Sequence, residues 1–268
     1  MRTVSAAALV LLSGIPGACR AVDGSCPAAD PRRLVDTGRP ALDDDGDGLD
    51  DATELALARA HLPFLAHHPD DRCALAALVF RARPHPDDDA LVHIVYSQLW
   101  ARDCGLDGHV GDNEAFGATV DPRLPPPAGL VALVAVSHQG TPCERTTTCG
   151  TCPGMNPCDT VDGRAVLYSS RDKHASAVDI GGGCSFGSCF DACALPVDDA
   201  VVPLVNAGEP DHPLLDDLTA AGIVDDRWPE ALQHHDPWSP DTFGGAGVIA
   251  GDLADPAFLT PACTCNAR

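Results

Sequence analysis

Thirteen cysteines behind an apolar leader limit what this 268-residue chain can fold into more than any other feature. Met1-Arg2 followed by Val4 to Ile15, a run without charge, has the basic start and apolar stretch of a secretory signal, and the run is too short to cross a bilayer. Cleavage is expected after Ala18 or Ala21, which places the leader at 1–21. If it follows Ala18, Cys19 becomes the first residue. Ile15-Pro-Gly-Ala-Cys19 loosely follows a bacterial lipobox, with Gly17 and Ala18 suited to it and Pro16 where leucine is usual. The chain is therefore expected outside the cytoplasm, secreted or lipid-anchored at the envelope. Removing or acylating Cys19 leaves twelve of the thirteen cysteines, an even set that suits complete pairing in an oxidising compartment. Cys149-Gly-Thr-Cys152 and the cluster Cys184, Cys189 and Cys193 also read as zinc ligands, but export disfavours persistent thiolates, so disulfides are the expected state. Their connectivity is not readable from sequence.

Formal charge is -22, and losing Arg2 and Arg20 with the leader makes it -24. Such a surface excludes nucleic acid as the default partner and opposes unaided adsorption to anionic membranes, leaving cations as natural partners. No later segment reaches transmembrane length without charge or proline. Aromatic residues are few, so the core is expected to be mostly Val, Leu and Ala, and Lys173 is the only lysine.

Residues 43 to 54, Asp-Asp-Asp-Gly-Asp-Gly-Leu-Asp-Asp-Ala-Thr-Glu, follow the EF-hand-like calcium pattern D-x-D-x-D-G-x5-E without a gap. Asp43, Asp45 and Asp47 take the first, third and fifth positions, Gly48 the sharp turn, Asp51 the ninth and Glu54 the twelfth, where a bidentate carboxylate closes the shell around calcium. The eighth position, usually a β-branched apolar residue that pairs with a second loop, is Asp50, so a lone loop is favoured over an EF-hand pair. Because the ligands are contiguous, the loop is expected to bind without help from distant residues. A solvated acidic linker is the competing reading.

Beyond this 22–59 segment of acidic loop and linker, a helix is expected over Ala52 to Leu65, broken by Pro63. Strand signals follow at Ala74 to Phe80, Leu91 to Trp100, Ala115 to Val120, Leu130 to Val136 and Ala165 to Ser169, separated by Pro, Gly and Asp. Leu130 to Val136 is apolar throughout, which fits a strand covered on both faces, although a buried helix has the same pattern; its length favours the strand. Residues 141 to 160, rich in Thr, Cys, Gly and Pro, are expected to form a surface loop pinned by disulfides. The fold class is mainly β: a disulfide-rich single-domain β-sandwich over 60–268 with short peripheral helices.

A second constellation lies in Asp103-Cys-Gly-Leu-Asp-Gly-His109-Val-Gly-Asp112-Asn-Glu114. Extension from Asp112 puts Asp112, Glu114, Phe116 and Ala118 on one face, with two carboxylates beside apolar side chains. Buried neighbouring carboxylates must share a proton, find a cation or bind a metal, and the scarcity of lysine points to metal. His138 in Ser-His-Gln-Gly and His174 in Arg-Asp-Lys-His-Ala fall where strands should end and are candidate ligand-binding residues.

These motifs resemble the necrosis- and ethylene-inducing-peptide-like proteins, and also the related vacuolar-protein-sorting-like family that carries G-D-W-E. The first family's G-H-R-H-D-W-E lies over Gly108-His-Val-Gly-Asp-Asn-Glu114 and retains Gly108, His109, Asp112 and Glu114; Asp103 matches an upstream acid, Ser137-His138-Gln-Gly140 a Ser/Ala-His-Gly, and His174 a later histidine after Val166-Leu-Tyr168. The resemblance covers about 60 to 180 by motifs in order. It implies a β-sandwich in which Asp103, His109, Asp112 and Glu114 line a divalent-cation site for calcium or magnesium, and it implies binding of sphingolipid head groups. Gly111 and Asn113 replace the heptad's second histidine and its tryptophan, so membrane damage does not transfer with the fold.

Two functional readings follow. In the first, a calcium-binding protein presents a cation to a sugar or lipid head group at a cell surface. In the second, a cation on Asp112 and Glu114 activates water, with His109, His138 or His174 exchanging protons. No Gly-x-Ser-x-Gly elbow, His-Glu-x-x-His pair or phosphate loop marks an enzyme class, which inclines the reading away from catalysis. A third possibility is an envelope protein whose metals and disulfides serve only stability. The sequence leaves the oligomeric state open.

Overall fold

The computed structural model describes residues 42–180, 184, 189, 191–194 and 202–263. The leader, Cys19, Cys26 and Cys265 lie outside them. After helix α1 (Asp51–His61) the chain runs through β1 (Phe64–Ala66), β2 (Leu75–His85), β3 (Asp88–Arg102), β4 (Val110–Val120), β5 (Leu130–Ser137) and β6 (Arg145–Gly150). It continues through β7 (Thr160–Val161), β8 (Arg164–Ser169), β9 (Ser176–Ala177), β10 (Leu204–Asn206), β11 (Gly208–Glu209), β12 (His212–Pro213) and helix α2 (Ile249–Ala254). The main sheet has six strands in the order β10-β2-β3-β4-β5-β6. A smaller sheet joins β1, β8, β7 and β9.

Alternation along the strands loads both faces of the main sheet. Leu78, Phe80, Ile94, Tyr96, Phe116 and Leu133 share one core with Ala58 of α1, Leu65 of β1 and Leu167 of β8. On the opposite face Ala77, Val79, Val95, Leu99, Ala115 and Val134 pack under Leu218, Leu232, Phe243, Ile249, Leu253 and Phe258 of the C-terminal segment. One face is thus sandwiched by strands and α1, and the other by turns and short helices. Covering on both sides is why β5 is buried along its whole length, as its uninterrupted apolar run implies.

The expected strands are present, mostly a few residues longer than their apolar runs. Asp50 starts α1 by accepting a hydrogen bond from the Thr53 N–H at 3.0 Å. The helix stops at His61 rather than Leu65, because Leu62 precedes a proline and is turned out of the helical region, with ψ 124. Residues 141–160 are not all loop: Arg145–Gly150 pairs antiparallel with β5 from Ser137↔Arg145 to Ala132↔Gly150. Its Thr-Thr-Thr run has the β-branching of an edge strand without an apolar pattern to announce it. The disulfide pinning is there, through Cys143–Cys189, Cys149–Cys158 and Cys152–Cys263. Cys73–Cys104 and Cys184–Cys193 complete five bridges among the described residues.

The bridges close loops of very different length. Cys152–Cys263 spans 111 residues and Cys149–Cys158 only 9. Loop-closure entropy assigns about 5 kcal/mol to the first and about 2.5 kcal/mol to the second. Replacing Cys152 and Cys263 together with alanine should therefore lower the unfolding free energy about twice as much as replacing Cys149 and Cys158. Urea titration of the two double variants checks this; equal losses would refute the chain-entropy account.

Candidate functional site

Two acidic regions emerge, built in different ways. In the first, residues 43–54 wrap as a closed loop. The Asp43 carboxylate accepts hydrogen bonds from the Gly46 and Gly48 N–H groups at 2.8 and 3.1 Å, and Asp47 Oδ1 accepts from Leu49 N at 2.7 Å. Gly48 has φ +101, a conformation that side chains rarely adopt. Carboxylate oxygens of Asp43, Asp45 and Asp51 lie within 4.8 Å of one another, as do those of Asp45, Asp47 and Glu54, so these groups can hold a metal ion. Asp45 is 2% exposed and Glu54 0%. Both Asp45 oxygens, Asp47 Oδ2 and Glu54 Oε1 are buried without a hydrogen-bond partner.

With no counter-ion, burial and mutual repulsion favour the acid form. Burial, then Asp45 and Asp47, push Glu54 up to about 8. Burial and Asp47 push Asp45 to about 7. Burial raises Asp47 to about 6, against the bond from Leu49. A hard divalent cation with oxygen ligands resolves the same conflict by another route.

The second region lies at the end of the β3–β4 pair. Register places Trp100 opposite Asp112 and Gln98 opposite Glu114, so both acids stand on the face that carries Phe116 and Ala118. A bulge at Arg102, which pairs with both Val110 and Gly111, opens the strand just before them. Gly111 has φ +76, and a Cβ there would meet the Phe243 carbonyl oxygen at 2.3 Å. That explains why no histidine occupies this position. Asn113 points the other way and donates to Asp252 of α2.

His174 is the centre of this region. It is 0% exposed, stacks on Trp100 with ring centroids 4.2 Å apart, places Nδ1 2.5 Å from Asp112 Oδ2, and carries Nε2 3.6 Å from Asp71 Oδ1. Burial opposes its charge, but Asp112 and then Asp71 outweigh burial and raise it to about 9. Burial likewise works against Asp71, but His174 and the Cys73 and Asp172 N–H groups hold its carboxyl below the usual range. Lys173 Nζ lies 2.9 Å from Asp103 Oδ2, and His109 Nε2 lies 3.9 Å from the same oxygen. The chain's only lysine thus reaches the acid cluster, contrary to what its scarcity suggested. His109 turns Nδ1 to the Gly111 carbonyl at 2.6 Å. His138 Nε2 meets Asp191 Oδ2 at 2.6 Å.

Glu114 is raised well above its usual range by burial, then by Asp112, Asp252, Asp191 and Asp103. Glu114 as a whole residue is half-buried. Among the described residues the only acid groups whose ligand atoms come within 4.8 Å of one another are the two in the loop; Asp103, His109, Asp112 and Glu114 do not form such a set in this arrangement. Asp71, Lys173 and Asp191 contact the predicted site residues without having been singled out from sequence. Asp71 lies two residues before Cys73 and Asp191 between Cys189 and Cys193, so the disulfide connectivity was the missing signal.

No family model matches the chain, and no curated protein matches it. Among solved structures it is similar to a mutant of NLPPya, at 18% identity over 73% of this chain and 84% of that one with a TM-score of 0.42. It is similar to NLPPya in complex with glucosamine at 16% over 78% and 88%, TM-score 0.39. A structure described as a toxin fold for microbial attack and plant defense matches at 16% over 73% and 84%, TM-score 0.40. No residue role, ligand or activity of this chain follows from them. Among the described residues no helix is long and apolar enough to cross a membrane.

The His174 charge makes a pH prediction. With a value of about 9 in the fold against 6.5 in the free side chain, its stabilising contribution is complete below about 6.5 and is lost as pH rises through about 9. Its size is roughly 3 kcal/mol. Thermal melts from pH 6 to 10 should fall for the wild type and run flatter for His174→Gln; parallel curves would show that His174 is not charged in the fold.

Proposed function

We propose that this chain is an exported calcium-binding β-sandwich protein. In this reading the 43–54 loop holds one calcium ion, and the Asp112–Glu114 recess presents a second divalent cation, calcium or magnesium, to a sugar or lipid head group. The observation that carries it is Asp45 and Glu54: buried carboxylates with unpartnered oxygens turned toward three more acids. Uncompensated burial of that charge is too costly to persist without a cation or bound protons. Asp43, Asp45, Asp47, Asp51 and Glu54 supply oxygen ligands only, which suits calcium over zinc or copper. Five disulfides support export.

For the recess, the support is convergence. The charges of Asp112, Asp252, Asp191 and Asp103 all bear on Glu114, and three of these acids are met by histidines: Asp103 by His109, Asp191 by His138 and Asp112 by His174. In this reading Asp103, His109, Asp112 and Glu114 surround the cation, with His138 and His174 toward the ligand. Lys173 and protonated His174 already neutralise part of the charge, so the recess has to exchange an internal ion pair for the cation. A second reading, metal-dependent hydrolysis, draws on one contact. The Asp191 side chain, 2% exposed, sits behind His138 and can hold its imidazole as a proton carrier.

Glu54→Ala should remove one calcium equivalent from the protein by isothermal calorimetry, and unchanged stoichiometry would overturn the loop reading. In the recess, Asp112→Ala should abolish the second cation and, with it, binding to glycan and lipid arrays probed in calcium and in chelator. His174→Ala should weaken array binding at least tenfold and leave the cation in place. Turnover of an ester or glycoside substrate that depends on His138 would decide for hydrolysis instead.

A further inference from the structure

The contiguity of the loop's ligands conceals a dependence on a residue far along the chain. Glu54, the twelfth-position acid, has one oxygen, Oε1, without a partner, while Oε2 accepts a hydrogen bond from Asn206 Nδ2 at 2.6 Å across 152 positions of sequence. Asn206 belongs to β10, which pairs parallel with β2 through Leu204↔Leu78, Val205↔Val79 and Asn206↔Phe80. The next N–H, that of Ala207, donates to the Phe80 carbonyl at 2.7 Å. The Asn206 amide is oriented as well as placed. Its oxygen accepts from the Gly208 N–H at 3.1 Å, which leaves the NH₂ end to face Glu54. Three residues beyond Asn206, Glu209 receives Arg81 through a two-pronged contact whose Nε–Oε1 arm is 2.6 Å. The Glu209 charge is felt at both Asp45 and Asp47, and that of Arg81 at Asp47. The back of the loop therefore rests on a sheet edge carrying one aimed amide and one nearly neutral ion pair.

We propose that Asn206 is a positioning residue for the loop's cation: it fixes the plane of the Glu54 carboxylate, so that the ion fastens α1 to the β10 edge of the main sheet. The inference rests on the calcium reading of residues 43–54. Bidentate closure at the twelfth position needs both carboxylate oxygens aimed at the ion, and an oxygen has a second lone pair to give a donor on its far side. A fixed donor there removes the rotational freedom that an isolated glutamate would lose on binding. In a paired EF-hand the neighbouring loop steadies the site through the eighth position. Here that residue, Asp50, is spent on capping α1 at Thr53, and the β10–β11 segment takes over the support. The position of β10 is in turn dictated by a buried strand, so the loop inherits the rigidity of the core.

The test uses the full chain. Calcium is titrated calorimetrically into wild type, Glu54→Ala, and two near-isosteric replacements that remove the donor, Asn206→Leu and Asn206→Asp. Loss of an oriented residue behind a metal ligand typically weakens affinity 10- to 100-fold, and both Asn206 variants should fall in that range while keeping wild-type stoichiometry. Hydrogen exchange on the wild type supplies a readout that needs no variant to fold: added calcium should slow exchange at Asn206, Ala207 and Gly208 as well as in the loop and α1. If wild type and Glu54→Ala take up the same calcium, the loop reading itself fails. If Glu54→Ala loses the site but both Asn206 variants bind within twofold of wild type, or protection stops at α1, the positioning role of Asn206 is wrong and the loop stands alone.

Discussion

The structure is governed by the problem of putting carboxylates inside a protein that has few cations to meet them: 39 Asp and Glu against 17 Lys and Arg. Where an acid goes below the surface, the chain generally spends one of those cations on it. Arg81 is buried against Glu209, Lys173 is laid on Asp103, and beside these the His174 imidazole lies between Asp112 and Asp71, which favour its charged form. Each pairing is useful chiefly because removing one member would strand the other in low dielectric. The acidic 43–54 loop is an exception, as are Glu114 and Asp252, which burial and neighbouring acids push toward the acid form. Five acids meet in the loop, and Arg81, whose charge reaches Asp47, is already engaged by Glu209.

Geometry around His174 shows how such a pairing is held. The turn carrying it is tied to two other segments. Asp172 accepts from the Arg72 N–H at 3.0 Å and gives its carbonyl to the Cys104 N–H at 2.9 Å, and the Cys73–Cys104 bridge, with Cα atoms 5.9 Å apart, locks those partners together. His174 itself has φ 58, an uncommon backbone state for a residue with a side chain. Its ring lies flat on Trp100 at 4.2 Å. Trp100 faces Asp112 across the β3–β4 ladder, so sheet register, disulfide and turn all specify one imidazole position.

Much of this was legible in the sequence for identifiable reasons. The long strands announce themselves because alternation or continuous apolarity is a direct image of burial, and the shared face of Asp112 and Glu114 follows from the period of two. The calcium pattern is legible because its ligands are local. Three things were not. The Thr-rich edge strand β6 buries only Thr147 and Cys149 between exposed threonines, so its burial leaves no aliphatic pattern to read. The C-terminal segment covers one side of the sheet with turns, where no periodicity exists to read. The partners of His174, Asp103, His138 and Glu54 come from positions 71, 173, 191 and 206, and they are brought in by disulfides and by a parallel strand that no local spacing encodes.

The two acidic regions consequently ask for different things from solution. The Asp112–Glu114 region has internal partners, Lys173 on Asp103 and His174 on Asp112, and a cation entering it must compete with them. Its occupancy is therefore expected to be conditional and exchangeable, as suits a site that presents something to a ligand. The loop has no such internal substitute beyond protons on Glu54, Asp45 and Asp47. On the calcium reading proposed above, an ion there has no paired side-chain cation to displace and ties α1 to the β10 edge through Glu54 and Asn206. Where an acid cluster already contains its own counter-charge, metal binding is a matter of exchange; where it does not, metal binding becomes part of folding. On that same calcium reading, the loop belongs to architecture and the Asp112–Glu114 region to recognition, and both draw on the same surplus of aspartate.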